Sequence, residues 1–74
     1  MTEWVIEALT KEGLPYKKPR FWSGGSVDPW GTTNALMWAK RYSRAKGANI
    51  DIRDGADRGY MGRLRKVITE ERLA

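Results

Sequence analysis

The chain has 74 residues, neither Cys nor His, 14 Lys and Arg against 9 Asp and Glu, and a formal net charge of +5. This composition excludes disulfide staples and the thiolate and imidazole ligands of most zinc, copper and iron sites. It leaves room for a single domain, residues 1–74, with a modest core. No apolar run approaches the roughly 20 residues that span a bilayer. Thr2-Glu3-Trp4 does not read as the start of a signal peptide, so the expected location is cytoplasmic, with no membrane partner.

Trp4, Ile6 and Ala8 alternate with Val5 and Glu7, which is the two-residue period of a strand over residues 3–9. Gly13 and Pro15 supply a turn, and residues 17–23 read as a second strand antiparallel to the first. Pro19 has no N–H to give to a ladder, which places that strand at a sheet edge. Residues 24–31 form a long Gly- and Pro-bearing connection. Thr32 or Thr33 caps a helix over residues 34–46 that stops at Gly47, with Ala35, Trp38, Ala39 and Tyr42 as its buried stripe. Ile50 and Ile52 alternate with Asp51 and Arg53 in a short third strand, and Asp54-Gly55 begins a turn. From Met61, the spacing of Leu64, Val67 and Ile68 favours a short C-terminal helix to about Leu73. A fourth strand is the alternative, because Gly59 and Gly62 weaken the start of a helix. The expected fold is α+β: a small antiparallel or mixed sheet in β-β-α-β order, packed against one main helix, with the short C-terminal helix after it.

The charge is regional. Residues 1–16 sum to −2, residues 17–46 to +6 and residues 47–74 to +1. The middle stretch sets Lys17, Lys18, Arg20, Lys40, Arg41, Arg44 and Lys46 against Asp28, with Phe21, Trp22, Trp30, Trp38 and Tyr42 interleaved. Clustered cations attract phosphates or carboxylates, and rings stack on bases or on partner side chains. The expected partner is therefore nucleic acid, DNA or RNA, or a protein complex that handles it. The candidate contact residues are Lys17, Lys18, Arg20, Trp30, Lys40, Arg41, Arg44, Tyr60 and Arg63. An ordinary solvated helix face, whose basic last turn complements the helix dipole, accounts for Lys40, Arg41 and Arg44 equally well. Trp38 and Tyr42 fall on the buried stripe and Trp22 is also expected inside, whereas Trp30 is either a lid on the core or a contact. An edge strand and spare aromatics also leave a homodimer open.

Other chemistries fare less well. No triad, nucleophile elbow or paired-carboxylate motif is present, so the expectation is a non-enzyme with no cofactor and no metal. Asp51, Asp54 and Asp57 have the wrong spacing for a calcium loop and are interrupted by Arg53 and Arg58, so they read as turn acids beside arginines. Gly59-Tyr60-Met61-Gly62 matches the Gly-x-x-Gly phosphate loop of KH domains. With a strand expected upstream instead of a helix, it reads as a flexible turn. Gly24-Gly25 lacks the lysine of a phosphate loop. There is no helix-turn-helix, zipper or RRM signature, so any contact with nucleic acid is electrostatic rather than sequence-reading.

The succession Glu3-Trp4-Val5-Ile6-Glu7, Arg20-Phe21-Trp22, Asp28-Pro29-Trp30 and Asn34-Ala35-Leu36 resembles, in layout and over about residues 3–53, short accessory proteins of bacteriophages and mobile elements. Among these are inhibitors of host defence or transcription, anti-CRISPR proteins included. The resemblance implies a protein in the host cytoplasm that binds a host complex and does no catalysis. It brings no site residues with it. Many such inhibitors are acidic mimics of nucleic acid; a basic one would occupy an acidic protein surface or the nucleic acid itself.

Overall fold

The alternation around Trp4 folds as its period requires: Glu3–Leu9 forms strand β1. The computed structural model describes residues 3–24, 30–69 and 72–74. After β1 come β2 (Phe21–Trp22), β3 (Thr32–Thr33), a 3-10 turn at Leu36–Trp38, helix α1 (Ala45–Asp57), β4 (Met61–Thr69) and β5 (Arg72–Leu73). The pairings are all antiparallel and the order across the sheet is β3-β2-β1-β4-β5. The fold is α+β, one main helix on a five-stranded sheet.

The spine of the sheet is β1 against β4, in register from Glu3 opposite Val67 to Leu9 opposite Met61. Both faces of β1 are covered. On one, Ile6 and Ala8 pack with Trp22 and Ala48 of α1, ringed by Trp30, Tyr42, Ile52 and Leu64. On the other, Val5 packs with Phe21 and Ala39, flanked by Leu36, Val67 and Leu73. This double cover explains the run of buried residues in β1, Glu7 among them at 3% exposure.

Several expectations need correction. The second strand is reduced to Phe21–Trp22 and lies between β3 and β1 instead of at the edge. Pro19 falls before the ladder begins, so its missing N–H costs nothing there. Residues 25–29 of the expected loop, Asp28 and Pro29 included, lie outside the described residues.

The helix expected over residues 34–46 does not form. Only Leu36–Trp38 makes a 3-10 turn, and the chain then runs extended. The reason is tertiary. Because β2 is so short, the row beside the start of β1 is vacant, and Tyr42 fills it. Trp4 N–H donates to Tyr42 C=O at 2.8 Å and Tyr42 N–H to Trp4 C=O at 2.9 Å, while Lys40 N–H donates to Trp22 C=O at 3.0 Å. This crossing carries the chain from one face of the sheet to the other: Ala39 packs beside Phe21, Tyr42 beside Ile6. Trp38 is left outside the core at 70% exposure.

The helix lies over Ala45–Asp57 instead, and absorbs Ile50 and Ile52, which were expected in a strand. Its two glycines and β-branched residues are poor helix formers, so packing of Ala48, Ile52 and Gly55 on the sheet has to hold it. The C-terminal helix is replaced by β4 and β5. Pairing along the whole of β1 outweighs the helical spacing of Leu64, Val67 and Ile68, and the strand period puts Leu64 on the helix-covered face and Val67 on the other.

Candidate nucleic-acid interface

The end of α1 delivers two side chains to one end of the sheet. Gly59 adopts φ +88°, Tyr60 N–H donates to Gly55 C=O at 2.8 Å and Gly59 N–H to Ala56 C=O at 3.1 Å. This is the Schellman closure of a helix, which only a residue comfortable in the left-handed region completes without strain. It holds Arg58 and Tyr60 beside Trp30. The Tyr60 and Trp30 rings are stacked, with centroids 5.4 Å apart and planes 6° from parallel, and the Arg58 guanidinium carbon stands 5.1 Å from the indole. Contacts of this kind are each worth on the order of 1 kcal/mol.

Gly55 fixes how near the helix comes. A Cβ at that position would stand 2.6 Å from Trp22 Cη2 and 2.7 Å from Trp30 Nε1, closer than real atoms approach. The helix therefore backs both indoles directly. Trp22 is buried, as its place in the core requires, and Trp30 is half-buried with Tyr60 on it.

These rings line a cleft of about 200 Å³, with Ala8, Trp22 and Trp30 at its back and exposed Lys11, Tyr16 and Tyr60 at its mouth. Residues 11–20 are exposed throughout. Within them the Arg20 guanidinium carbon lies 5.7 Å from the Tyr16 ring, and Arg20 Nε donates to Asn34 Oδ1 at 3.3 Å. Lys17 and Lys18 share this stretch. Among the described residues, no carboxylate lies within ion-pair distance of Lys11, Lys17, Lys18, Arg20 or Arg58.

The structure thus brings Trp30 and Tyr60 together, with Arg20 beside Tyr16 at the cleft; Lys17 and Lys18 are exposed between Tyr16 and Arg20 in the chain. The other candidates have different surroundings. Lys40 reaches Asp51 at 3.5 Å and the Tyr42 ring at 5.0 Å. Arg41 Nη2 donates to Leu36 C=O at 3.2 Å. Arg44 is the exposed residue that opens α1. Tyr42 O–H donates to Asp51 Oδ2; burial first, then that hydrogen bond and the nearby negative charge, push the phenol well above the usual tyrosine range. This proton is held, not poised for transfer: it ties the extended crossing to α1.

Arg63 belongs to a second constellation on the opposite face. Opposed pairs Glu7–Arg63 and Val5–Arg65 put both arginines on the Glu7 side of the sheet. Glu7 Oε1 accepts from Arg63 Nε at 2.9 Å and from Arg65 Nη1 at 2.6 Å, and Arg65 Nη2 donates to Ala74 C=O at 3.1 Å. Two guanidinium groups on one carboxylate leave a net positive charge. Glu7 and Arg65 form part of the wall of a groove of about 560 Å³ with Phe21, Leu36, Met37 and Leu73.

Neither a family model, nor a curated protein, nor a solved structure matches this chain.

Sequence reasoning missed Lys11, Tyr16 and Arg58 at the cleft, and Glu7 and Arg65 on the other face. The signal for the latter pair was present: an acid in the middle of an apolar strand, and arginines at alternate positions, Arg63 and Arg65, in a segment whose fourth-strand alternative puts them on one side. Tyr16 and Lys11 lie in a loop, where no periodicity marks them.

Proposed function

We propose that the chain is a non-enzymatic module that binds single-stranded nucleic acid with weak sequence preference, inside the host cell. The observation that carries this reading is the Trp30–Tyr60 stack opening on a cleft lined by Lys11, with Arg58 over the indole; neither cation has a carboxylate partner among the described residues. A stacked ring pair offers a π-face that every base satisfies, and unpaired Lys and Arg beside it track phosphates, which is the combination that single-strand binders use. Tyr16 and Tyr60 meet the bases; Lys11, Lys17, Lys18, Arg20 and Arg58 meet the backbone. The test is fluorescence anisotropy with labelled oligonucleotides across a salt series. Binding that falls steeply and log-linearly with salt supports the reading. Absence of binding at low salt rejects it.

A second reading has its own observation. Met37 and Trp38, adjacent on the 3-10 turn, are 66% and 70% exposed, beside Arg41. An exposed Trp next to an Arg has the make-up of a protein-binding hot spot. It favours a phage-type accessory or inhibitory protein, anti-CRISPR-like, docking on a host nucleoprotein complex. A nuclease-treated pulldown from bacterial lysate that retains a stoichiometric protein, and loses it with Trp38→Ala, would support this alternative.

A further inference from the structure

The outer side of β4 carries a bare row of backbone hydrogen-bonding groups. In β1, Trp4 and Ala8 direct their N–H groups to the β2 side, towards Tyr42 and Arg20. The odd-numbered residues of β1 therefore bond across to their opposed odd-numbered partners in β4, and the even-numbered residues of β4 point outwards. Ala74 N–H donating to Lys66 C=O at 2.8 Å, on the β5 side, agrees with this parity. β5 covers only the far end of β4, with Val67 opposite Leu73 and Thr69 opposite Arg72. Along residues 61–65, about 17 Å of strand, the N–H and C=O groups of Gly62 and Leu64 face outwards, and no described residue pairs with them.

We infer that this row accepts an extended acidic segment of a partner protein as an added strand, in line with β5. The backbone supplies the hydrogen bonds and the side chains supply the selectivity. Arg63 and Arg65 stand on one face of the row with one carboxylate, Glu7, between them. On the other face are Gly62 and the half-buried Leu64, next to α1. The incoming segment therefore alternates, with Asp or Glu beside the arginines and small apolar residues beside Leu64. A second copy of β4 is the poorer occupant, because self-pairing sets Arg63 and Arg65 of one copy against those of the other, and like charges opposed across strands repel. The row adjoins the aromatic cleft at Met61, which lines it, but its backbone groups do not depend on the ligand of that cleft.

The test uses a synthetic peptide of alternating Glu and Val, about seven residues long, titrated into isotope-labelled protein. The expected result is saturable binding, with the Gly62 and Leu64 amides shifting and gaining protection from hydrogen exchange. A Lys–Val peptide should not bind. N-methylation of the peptide amides that face β4 should abolish binding, and methylation of the alternate set should leave it intact, a comparison that does not touch the protein. Arg63→Gln should weaken binding about tenfold, the usual loss for one charge-assisted hydrogen bond. The proposal is overturned if both methylated peptides bind equally, which would mean charge adsorption only. It is also overturned if the Gly62 and Leu64 amides are already protected in a dimer seen by light scattering, or if only oligonucleotide protects them.

Discussion

Tyr60 lies flat on Trp30, 5.4 Å between centroids, because the helix closure at Gly59 places it there. Trp30 is tied into the core through Gly55 and Trp22, whereas Tyr60 is 47% exposed and free to meet a ligand. Replacing Tyr60 therefore separates binding from folding. Tyr60→Ala should weaken oligonucleotide binding about 5- to 150-fold, the range for one base–aromatic contact, with the thermal midpoint little changed. Anisotropy and calorimetry on the same sample check both halves.

Lys17 and Lys18 act in this reading through charge. The double variant Lys17→Ser, Lys18→Ser should flatten the log–log salt dependence by about 1.4, at about 0.7 per phosphate contact on a single strand. An unchanged slope would remove them from the interface.

Gly55→Ala tests the packing. The added methyl overlaps both indoles, and overpacking of this sort costs roughly 1–3 kcal/mol. Urea denaturation should show the loss, and Trp fluorescence should change as Trp30 and Trp22 are displaced.

The Glu7 carboxylate is buried and answered by two arginines. Replacing both, Arg63→Met with Arg65→Met, should destabilise the chain by about 3 kcal/mol or more, since a buried charge is then left unanswered. Adding Glu7→Met to that pair should recover much of the loss. The triple variant more stable than the double is the outcome to look for.

Tyr42 sets an alkaline limit. Its folded-state pKa is raised above the unfolded value of about 10, chiefly by burial and then by Asp51. Below that value both states hold the proton and stability is unaffected. As pH rises above it, the unfolded chain loses the proton first, so stability falls with pH. Tyr42→Phe should remove that alkaline slope and the matching phenol step in an absorbance titration.

How much of this was legible beforehand depended on which force decided each segment. β1 was readable because both its alternation and its β-branched residues are local. Trp22 was expected inside and is buried, although the strand that carries it is shorter than expected and lies within the sheet. The 34–46 segment misled because Ala35, Trp38, Ala39 and Tyr42 do fall at helical spacing, yet Ala39 and Tyr42 serve opposite faces of the sheet. That division comes from the vacant row beside Trp4, which no local signal reveals. Gly47 looked able to end a helix and Gly59 to weaken the start of one, but the Schellman bonds that end α1 form at Gly59. For β4 the deciding contact is with β1, far away in sequence. At the candidate site, Trp30 and Tyr60 were picked out by residue type; that Gly55 would bring them together was beyond a linear reading.

The β1–β4 pairing also governs when the protein becomes a protein. On the ribosome, β1 emerges with Val5 and Ile6 ready for burial, but its long partner follows only after β2, β3 and α1 have all been made. At about 5–20 residues per second the nascent chain waits for seconds in that state, and such distant pairing is slow to nucleate. A ribosome stalled before Met61 would hold out a sticky, half-dressed strand for chaperones to find, until β4 is made and gives β1 its long partner.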